Sequence, residues 1–398
     1  MPTTTIPVFK SPNEPLPSSP ARPTLRPYTT APDGVGSTQS APGAGAAHSF
    51  IHSAVDSALP NSPFHRRRRR ESVIAPFAGR LGGNQTFVLD RSNPANAELL
   101  QKVPDAAPNL NLKEAFDPRA FRDVDLYKAA AIEFVGTLLL VYAAAWNSLS
   151  PNIPPPRPSP TSGVFSAVTF LGPLVGACIN SILMSLLIYS FGAISGGHMN
   201  PLITLGTFFA GLTSLPRLVL YVAAQTAGGA LAGLLLRASA GTRDFKVGGC
   251  FLFEDMGVSV LSAFTVELVG DVLLLVLAFG VGLDPRQREI FGPALGPILV
   301  GLAAGATALC MSFSRPGFGG PGMNPARCFG VFVGSRFPGW HWVHWVGPLA
   351  ASMFHGIVYF LVPPVSPKDK GAPGGEKEGL SLSTAEAEQE KTADRECV

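Results

Sequence analysis

Long apolar stretches dominate the middle of the chain and predict helices that cross a membrane. A helix needs roughly 20 residues to span the hydrocarbon core of a bilayer, and it must satisfy its own backbone hydrogen bonds there. Six stretches are long enough: about 128 to 147, 171 to 193, 215 to 237, 258 to 281, 292 to 312 and 341 to 362. With only 14% charged residues in the chain, a large soluble protein with buried helices is the weaker interpretation.

The two ends of the chain have a different composition. The first 110 or so residues are rich in Pro, Ser, Ala and Gly and show no sustained period of 2 or 3.6, and the last stretch is rich in Lys, Glu and Ser. Such segments bury too little apolar surface to fold alone. The sequence predicts a disordered tail over 1–125, a membrane domain over 126–363 and a second disordered tail over 364–398.

Positive charge indicates which way the membrane domain is oriented. The basic residues at the predicted inner side are the arginine run 66–70, Arg119, Arg122, Lys128, Arg286 and Arg288, against Arg157, Arg243, Lys246 and Arg315 at the other. Lys and Arg favour the cytoplasmic side, and an even number of spans leaves both ends together. Both tails are therefore predicted to be cytoplasmic, with the plasma membrane as the default location.

The arginine run has two further interpretations. A nuclear import signal is one, although six predicted spans argue against it. The other concerns Ser72, which follows the run by two residues, a context in which basophilic kinases often act. Ser72 is therefore a candidate phosphorylation site.

The membrane domain contains the same pattern twice. Met-Asn-Pro-Leu at 199–202 returns as Met-Asn-Pro-Ala at 323–326, and Glu-Phe-Val-Gly from Glu133 returns as Glu-Leu-Val-Gly from Glu267. Three spans repeated once enter the membrane from opposite sides, because three is odd. This is an inverted repeat, an arrangement that places a functional site near the midplane.

Each half also contains an apolar piece too short to cross, at 202–211 and 326–334. Asn followed by Pro is a helix-start signal, with the Asn as N-cap and the Pro at the first helical position. Non-helical backbone at membrane depth survives only against protein or a wet cavity. Two short helices are therefore predicted to meet, N-terminus to N-terminus, beside water. For a single Asn-Pro, an ordinary turn would be the alternative.

This geometry predicts a pore for uncharged molecules. Two helix N-termini place positive partial charge at one point and repel cations, hydronium included. The Asn200 and Asn324 amides can each direct an N–H at the lumen. A passing water oxygen accepts from both, so its hydrogens point away along the pore and the proton wire is interrupted.

These motifs resemble those of the major intrinsic protein, or aquaporin, superfamily. The resemblance covers about 128 to 362 and rests on Ser-Gly-Gly-His-Met-Asn-Pro at 195–201, Gly-Met-Asn-Pro-Ala-Arg at 322–327 and Trp-Val-Gly-Pro-Leu at 345–349. It implies an all-α membrane protein with six transmembrane helices and two re-entrant half-helices, Pro201-Leu202 and Pro325-Ala326 marking their starts. It also implies a homotetramer with one passive pore per subunit, in which Glu133 and Glu267 support the re-entrant loops.

Two departures from the common family pattern are informative. Leu202 stands where most members have Ala, and Cys328 stands where many have Ser or Asp after Arg327. This combination is similar to the uncategorised X intrinsic proteins of plants, fungi and protozoa. The long Pro/Ser-rich N-terminal tail would suit a fungal member.

Arg327 is the basic residue expected to line the pore, because a guanidinium supplies up to five donors and a fixed charge. The family spacing adds Asn180, Ala308 and Pro321 to this constriction. A small Ala308 leaves room for glycerol, hydrogen peroxide, urea or boric acid beside water. In contrast, His-Trp at 344–345 resembles the aromatic pair of water-selective members, so both selectivities stay open.

Five cysteines are too few for a disulfide scaffold. Cys250 and Cys328 are candidates for a bridge at the outer mouth, where oxidation is permitted, and the unbridged state is the alternative. Asp271 lies one turn after Glu267 in an apolar stretch, where a charge is costly. It either faces the bundle interior or stays protonated.

No cofactor, metal site, catalytic residue or nucleic-acid partner is predicted. A secondary active transporter would normally have more spans and coupling-ion ligands. An intramembrane enzyme would need clustered polar residues, whereas His198, His341, His344 and His355 are scattered. The remaining alternative to a channel is a non-conducting structural or signalling relative, and the partners expected are the lipid bilayer, water and small neutral solutes.

Overall fold

A computed structural model describes residues 76–81, 88–151, 167–285, 291–312, 315 and 317–362. All of them belong to the unit Ser72–Val398. The candidate phosphorylation site at Ser72, the arginine run and the predicted tail 364–398 lie outside the described residues.

Helices make up most of this part of the chain. The α-helices are α1 (Ala97–Lys102), α2 (Leu112–Ala115), α3 (Val124–Asn147), α4 (Ala167–Ser195), α5 (Pro201–Phe209), α6 (Leu215–Ala240), α7 (Val260–Ala278), α8 (Gly292–Ser312), α9 (Pro325–Gly334) and α10 (Val343–Leu361). Short 3₁₀ turns lie at Pro94–Asn96, Pro104–Ala106, Pro118–Arg122 and Glu254–Met256, and a π turn, Phe279–Leu283, continues α7. Strands β1 (Leu149–Pro151) and β2 (Phe245–Val247) pair antiparallel.

Five helices of the described residues are long and apolar enough to cross a membrane, by length and composition. They are α3, α4, α6, α7 with its π turn, and α8. Helix α10 occupies the sixth predicted stretch but is not among the five; it has 19 residues and carries His344, Ser352 and His355. The fold is that of an all-α membrane protein with one small two-stranded sheet.

The long helices pack as two matching sets. Helix α3 packs against α4 and α6, and α7 packs against α8 and α10 in the same order. Helices α4 and α8 contact each other between the sets, while the short helix α5 lies on α10 and the short helix α9 lies on α6. Each short helix therefore packs on the last long helix of the other set, as an inverted repeat requires.

We call the end of the bundle where α3 begins the proximal end, and the opposite end the distal end. Because successive long helices alternate in direction, the α4–α5 connection lies at the proximal end and the α8–α9 connection at the distal end. The sheet of β1 and β2 joins two distal loops. The largest apolar cluster includes Met199 and Met323, which precede the two repeated Asn-Pro pairs.

Glycines allow the short helix α9 to touch α6 backbone to backbone. A Cβ atom on Gly233 would overlap the carbonyl of Gly330, and one on Gly330 would overlap the carbonyl of Gly229. Any larger residue at these positions would push the two helices apart. The position of α9 in the bundle is therefore fixed by main-chain contact.

The described part of the predicted N-terminal tail is ordered, which differs from the expectation for 1–125. It includes α1 and α2, and the Leu110 N–H donates to the Gly211 carbonyl at the proximal end, 3.0 Å away. Helix α2 begins with a capping box in which Asn111 and Glu114 bond each other's backbone N–H. Local caps of this kind produce no apolar period, which is why the composition alone suggested disorder.

Candidate functional site

The two repeated Asn-Pro pairs begin the two short helices. Asn200 and Asn324 are the N-caps of α5 and α9, both with extended backbone, φ −158° and −151°. The Asn200 Oδ1 accepts from the Leu202 N–H at 2.9 Å, and the Asn324 Oδ1 accepts from the Arg327 N–H at 3.2 Å. Pro201 and Pro325 occupy the first helical position, where a missing N–H costs nothing. The local sequence therefore dictates both helix starts.

The two helix starts are joined to each other in the middle of the bundle. The Asn200 Nδ2 donates to the Met323 carbonyl at 2.8 Å, and the Asn324 Nδ2 donates to the Met199 carbonyl at 3.0 Å. These reciprocal bonds bring two helix N-termini, each with positive partial charge, to the same place. An amide nitrogen has two N–H groups, so each Asn retains a second donor beyond this bond.

The residue before each Asn adopts a conformation that is unusual for a residue with a side chain. Met199 and Met323 have φ values of 48° and 54°, in the left-handed region. Such backbone costs on the order of 1–3 kcal/mol and persists only where its surroundings enforce it. Both methionines are at least nine-tenths buried. The turn is therefore held in place by contacts of the two loops with neighbouring helices.

Glu133 holds the proximal loop. Its carboxylate, fully buried on α3, accepts from the His198 N–H at 3.0 Å, the Met199 N–H at 2.5 Å and the Ser195 Oγ at 2.5 Å. Gln225 of α6 donates its Nε2 to the same carboxylate at 2.9 Å. Sequence reasoning missed Gln225, although a lone amide in an apolar stretch is a signal that it has a buried partner.

Glu267 holds the distal loop in the same way. This carboxylate of α7 accepts from the Gly322 N–H at 2.7 Å and the Met323 N–H at 3.0 Å. His344 Nδ1 lies 3.1 Å from its Oε2 but without hydrogen-bond geometry. The structure thus places both glutamates against the backbone of the re-entrant loops.

Arg327 lies at the distal end, against the loop that follows β2. Its guanidinium donates to the Gly248 carbonyl at 2.5 Å and contacts Ser148 Oγ at 3.4 Å. Cys250 and Cys328 form a disulfide with Cα atoms 5.2 Å apart, so this loop is tied covalently to α9, one residue beyond Arg327. The side chain is therefore held by a loop that is itself fixed to the helix carrying it.

The other three predicted constriction residues are distributed unevenly. Pro321 lies beside Arg327, since a Cβ built on Gly249 would be 2.9 Å from both the Pro321 carbonyl and Arg327 Nη1. Ala308 of α8 packs, partly buried, against the largest apolar cluster, which contains Met199 and Met323. The Oδ1 atom of Asn180, on α4, is buried and has no hydrogen-bond partner among the described residues. The structure brings Pro321 to Arg327 but shows no hydrogen bond from that guanidinium to Asn180 or Ala308.

Asp271 faces the bundle interior. It is fully buried one turn after Glu267, and neither carboxylate oxygen has a hydrogen-bond partner among the described residues. Thr137 occupies the matching position one turn after Glu133, and its buried Oγ1 is likewise without a partner there. The repeat therefore places one unpaired polar side chain beside each loop-holding glutamate.

Comparison with known proteins gives a consistent picture. The family model described as Major intrinsic protein matches residues 120–359. Aquaporin TIP1-2 of Zea mays is 33% identical over 239 residues, which cover 60% of this chain and 87% of that protein. Aquaporin TIP1-1 of Arabidopsis thaliana is 34% identical, with 59% and 86% covered, and Probable aquaporin PIP2-7 of Oryza sativa subsp. japonica is 34% identical, with 60% and 79% covered.

Among solved structures, the chain is similar to the X-ray structure of the aquaglyceroporin from Plasmodium falciparum. The two are 19% identical with a TM-score of 0.41, over 59% of this chain and 96% of that one. The family match covers more than half of the sequence, so the chain belongs to the major intrinsic protein family, whose members are channels and not enzymes. The predicted aquaporin-like fold and multi-pass membrane class are confirmed.

Proposed function

We propose that this member of the major intrinsic protein family is a passive channel for water and small uncharged solutes that excludes protons and ions. Glycerol is the first solute candidate beside water, followed by hydrogen peroxide, urea and boric acid. The observation that carries the proposal is the reciprocal pair of bonds from Asn200 to Met323 and from Asn324 to Met199. These bonds hold two helix N-termini at one point of the bundle.

The second N–H of each Asn amide supplies the chemistry of this point. A water or hydroxyl oxygen that accepts from both amides must direct its own hydrogens toward the two ends of the pore. Neighbouring waters then cannot pass a proton through this molecule. The positive partial charges of the two helix N-termini oppose cations at the same place, so exclusion of protons and of ions has one structural source.

Selection among neutral solutes is proposed to occur distally, at Arg327 with Pro321, Asn180 and Ala308. A guanidinium holds hydroxyl and carbonyl oxygens and repels cations. Ala308 contributes little volume, which supports passage of solutes wider than water. The loop and disulfide behind Arg327 support a fixed constriction.

Assembly, location and subgroup are also proposals. The family resemblance supports a homotetramer in the lipid bilayer, with one pore in each subunit. Residues 126–363 are proposed to form the membrane domain that contains this pore. The distribution of Lys and Arg supports cytoplasmic termini, and the plasma membrane is the membrane proposed. Leu202 and Cys328 support a place near the uncategorised X intrinsic proteins.

Stopped-flow light scattering of vesicles containing the purified protein tests the proposal. Gradients of sucrose, glycerol and urea should give faster volume changes than in empty vesicles, with no dissipation of a pH gradient. Arg327→Val should raise solute and ion leak, because the fixed distal charge is lost. Arg336→Val, which removes an exposed distal arginine paired with Asp244, is the matched control and should behave as wild type.

Three results would each contradict part of this proposal. Rates equal to those of empty vesicles for every solute would favour the non-conducting structural alternative. A proton current through the intact assembly would contradict the role of the paired helix N-termini. If Arg327→Val leaves the preference among solutes and the exclusion of ions unchanged, Arg327 is not part of the constriction.

A further inference from the structure

We propose that the tail segment Pro76–Leu81, here called the plug, is seated in the proximal half of the pore and that leaving this seat opens the channel. This inference rests on the proposed channel function. It concerns access to the same pore and assigns a task to a stretch of the chain that precedes the family match at 120–359.

The plug is buried to a degree expected for a core segment. Phe77, Ala78, Arg80 and Leu81 are each at most 2% exposed. Its backbone groups have specific partners: the Ala78 N–H donates to the Asp105 carbonyl at 2.7 Å, and the Leu81 N–H donates to the Gly196 carbonyl at 2.8 Å. Buried backbone that lacks regular secondary structure needs such partners to be stable. The segment therefore occupies a built seat.

The seat is the loop that leads to Asn200. The His198 Nε2 lies 2.6 Å from the Gly79 carbonyl, and the Phe77 ring lies 5.6 Å from the His198 ring. A Cβ atom on Gly196 would be only 2.9 Å from the Phe77 ring. A molecule approaching Asn200 from the proximal end passes along this loop, and the plug covers it.

The plug also packs into the core of the bundle. Ala78 and Leu81 belong to the largest apolar cluster together with residues of five long helices. The members from those helices include Leu140 of α3, Ile188 of α4, Leu274 of α7, Val300 of α8 and Ala351 of α10. The same cluster contains Met199 and Met323, which precede Asn200 and Asn324. Ala78 and Leu81 therefore add apolar surface to the core around the paired loops, and apolar side chains placed there exclude water.

Reversible polar contacts hold the plug in this seat. Arg80 Nη1 donates to the Gly192 and Ala193 carbonyls at 2.9 and 2.7 Å, at the C-terminal end of α4, where cations are favoured. The Arg217 guanidinium lies 4.0 Å above the Phe77 ring, a cation–π contact. Asp105 in turn pairs with Arg217 at 2.8 Å. No covalent bond joins the plug to its seat among the described residues.

Burial, together with the nearby Arg217, lowers the pKa of Arg80 to about 10, so the side chain keeps its charge at neutral pH. A buried charge is costly unless its donors are satisfied. Arg80 therefore ties the plug to one position, and its replacement should release the plug.

The first test compares water flux in vesicles containing full-length Arg80→Ala, wild type and Arg119→Ala. Arg119 is an exposed tail arginine outside the plug that pairs with Asp117. Loss of two charge-assisted hydrogen bonds should raise flux on the order of tenfold in Arg80→Ala, whereas Arg119→Ala should match wild type. Equal flux in all three would overturn the proposal while leaving the channel function intact.

The second test locks the plug with a disulfide. A Cβ built on Gly79 would lie 3.0 Å from Thr213 Oγ1, so Gly79→Cys with Thr213→Cys falls within bridging reach. On the Arg80→Ala background, oxidation should lower the water flux to the wild-type value. A reductant should then raise the flux again to the Arg80→Ala value. The single cysteine variants under the same oxidant and reductant control for effects on the native cysteines.

The outcomes separate the two proposals. A cross-link that forms without lowering flux would show that the segment sits in its seat but blocks nothing, which overturns the plug. Flux equal to that of empty vesicles in every variant, oxidised or reduced, would overturn the channel function and the plug with it. Flux that rises in Arg80→Ala and falls on cross-linking would support both.

Discussion

The proximal and distal re-entrant loops share their centres and differ at their outer faces. In both, a glutamate accepts two backbone N–H groups, the residue before Asn is left-handed, and Asn donates to the opposite loop. Outside this centre, the plug covers the proximal loop through reversible contacts, whereas at the distal end a disulfide ties the loop after β2 to α9. The repeat therefore duplicates the features that start and hold the two short helices, namely the glutamate, the left-handed residue and the Asn, and it does not duplicate what lies outside them.

The outer faces of the two loops, at the proximal and distal ends, suit two different tasks. A covalently fixed loop behind Arg327 suits a constriction whose width must stay constant. A segment held by hydrogen bonds and a cation–π contact suits an opening whose access changes. The following predictions test this division, beginning with the largest expected effect.

Removing the loop-holding glutamates should reveal unequal dependence of the two centres. Glu133→Ala leaves four buried donors without their acceptor and should lower the free energy of unfolding by roughly 4 kcal/mol or more, at about 1–3 kcal/mol for each donor. Glu267→Ala leaves two backbone donors and should cost roughly half as much. Thermal unfolding in detergent, followed by tryptophan fluorescence, measures both. Equal losses would show that Ser195 and Gln225 add nothing to the proximal centre.

Breaking the ion pair beneath the plug should affect only the proximal side. Asp105→Asn leaves the Arg217 guanidinium buried beside a neutral amide, which should cost about 3–5 kcal/mol and raise water flux through loss of the seat. Glu114→Gln, which removes the partly exposed partner of Arg91, is the control and should cost less than about 1 kcal/mol. Unchanged water flux in Asp105→Asn vesicles would show that the Asp105–Arg217 ion pair does not help to hold the plug.

Breaking the disulfide should affect only the distal side. Cys250→Ser should lower stability by about 2–4 kcal/mol without preventing assembly, because α9 stays in glycine contact with α6. The loop behind Arg327 loosens, so the ratio of urea to water permeability should rise while proximal occlusion stays unchanged. Cys178→Ser, which removes an exposed unbridged cysteine, is the control. A change in occlusion would contradict the independence of the two ends.

Changing the pH should have the smallest effect. Burial by itself would raise the pKa of the Asp105 carboxyl, but the Arg217 guanidinium and the Ser214 hydrogen bonds hold it below the ordinary 3.8. A carboxyl whose pKa is lowered by folding stabilises the fold above its unfolded pKa and loses that contribution as the pH falls through its folded pKa. Flux should therefore be constant from about pH 8 to pH 5 and rise only below about pH 4. A step between pH 8 and pH 5 would instead show that a group other than Asp105 controls the plug.

The sequence predicts the centre of the site well because the signals there are local. Asn followed by Pro fixes a helix start within two residues, and a glutamate in an apolar stretch must have a buried partner. The sequence repeat then matches each helix start and each glutamate in one half with its counterpart in the other half. The long helices follow from apolar length alone, and their observed bounds lie close to the predicted stretches.

The plug could not be predicted, because its stability depends on distant partners. Arg80 bonds carbonyls more than a hundred residues later in the chain, and main-chain carbonyls have no residue type to recognise. The segment is also too short to show a period. For the same reason, spacing selects Asn180 and Ala308 along their helices but does not show which way each side chain is turned.

The glycine crossing of α6 and α9 has a mechanical consequence. Where two main chains touch directly, no side-chain rotamer can change to absorb a shift, so the distance between α6 and α9 cannot vary without breaking the contact. Arg327 and Cys328 lie on α9. Warming or a change of lipid should therefore leave their distance from α6 unchanged, and any adjustment should occur elsewhere in the molecule.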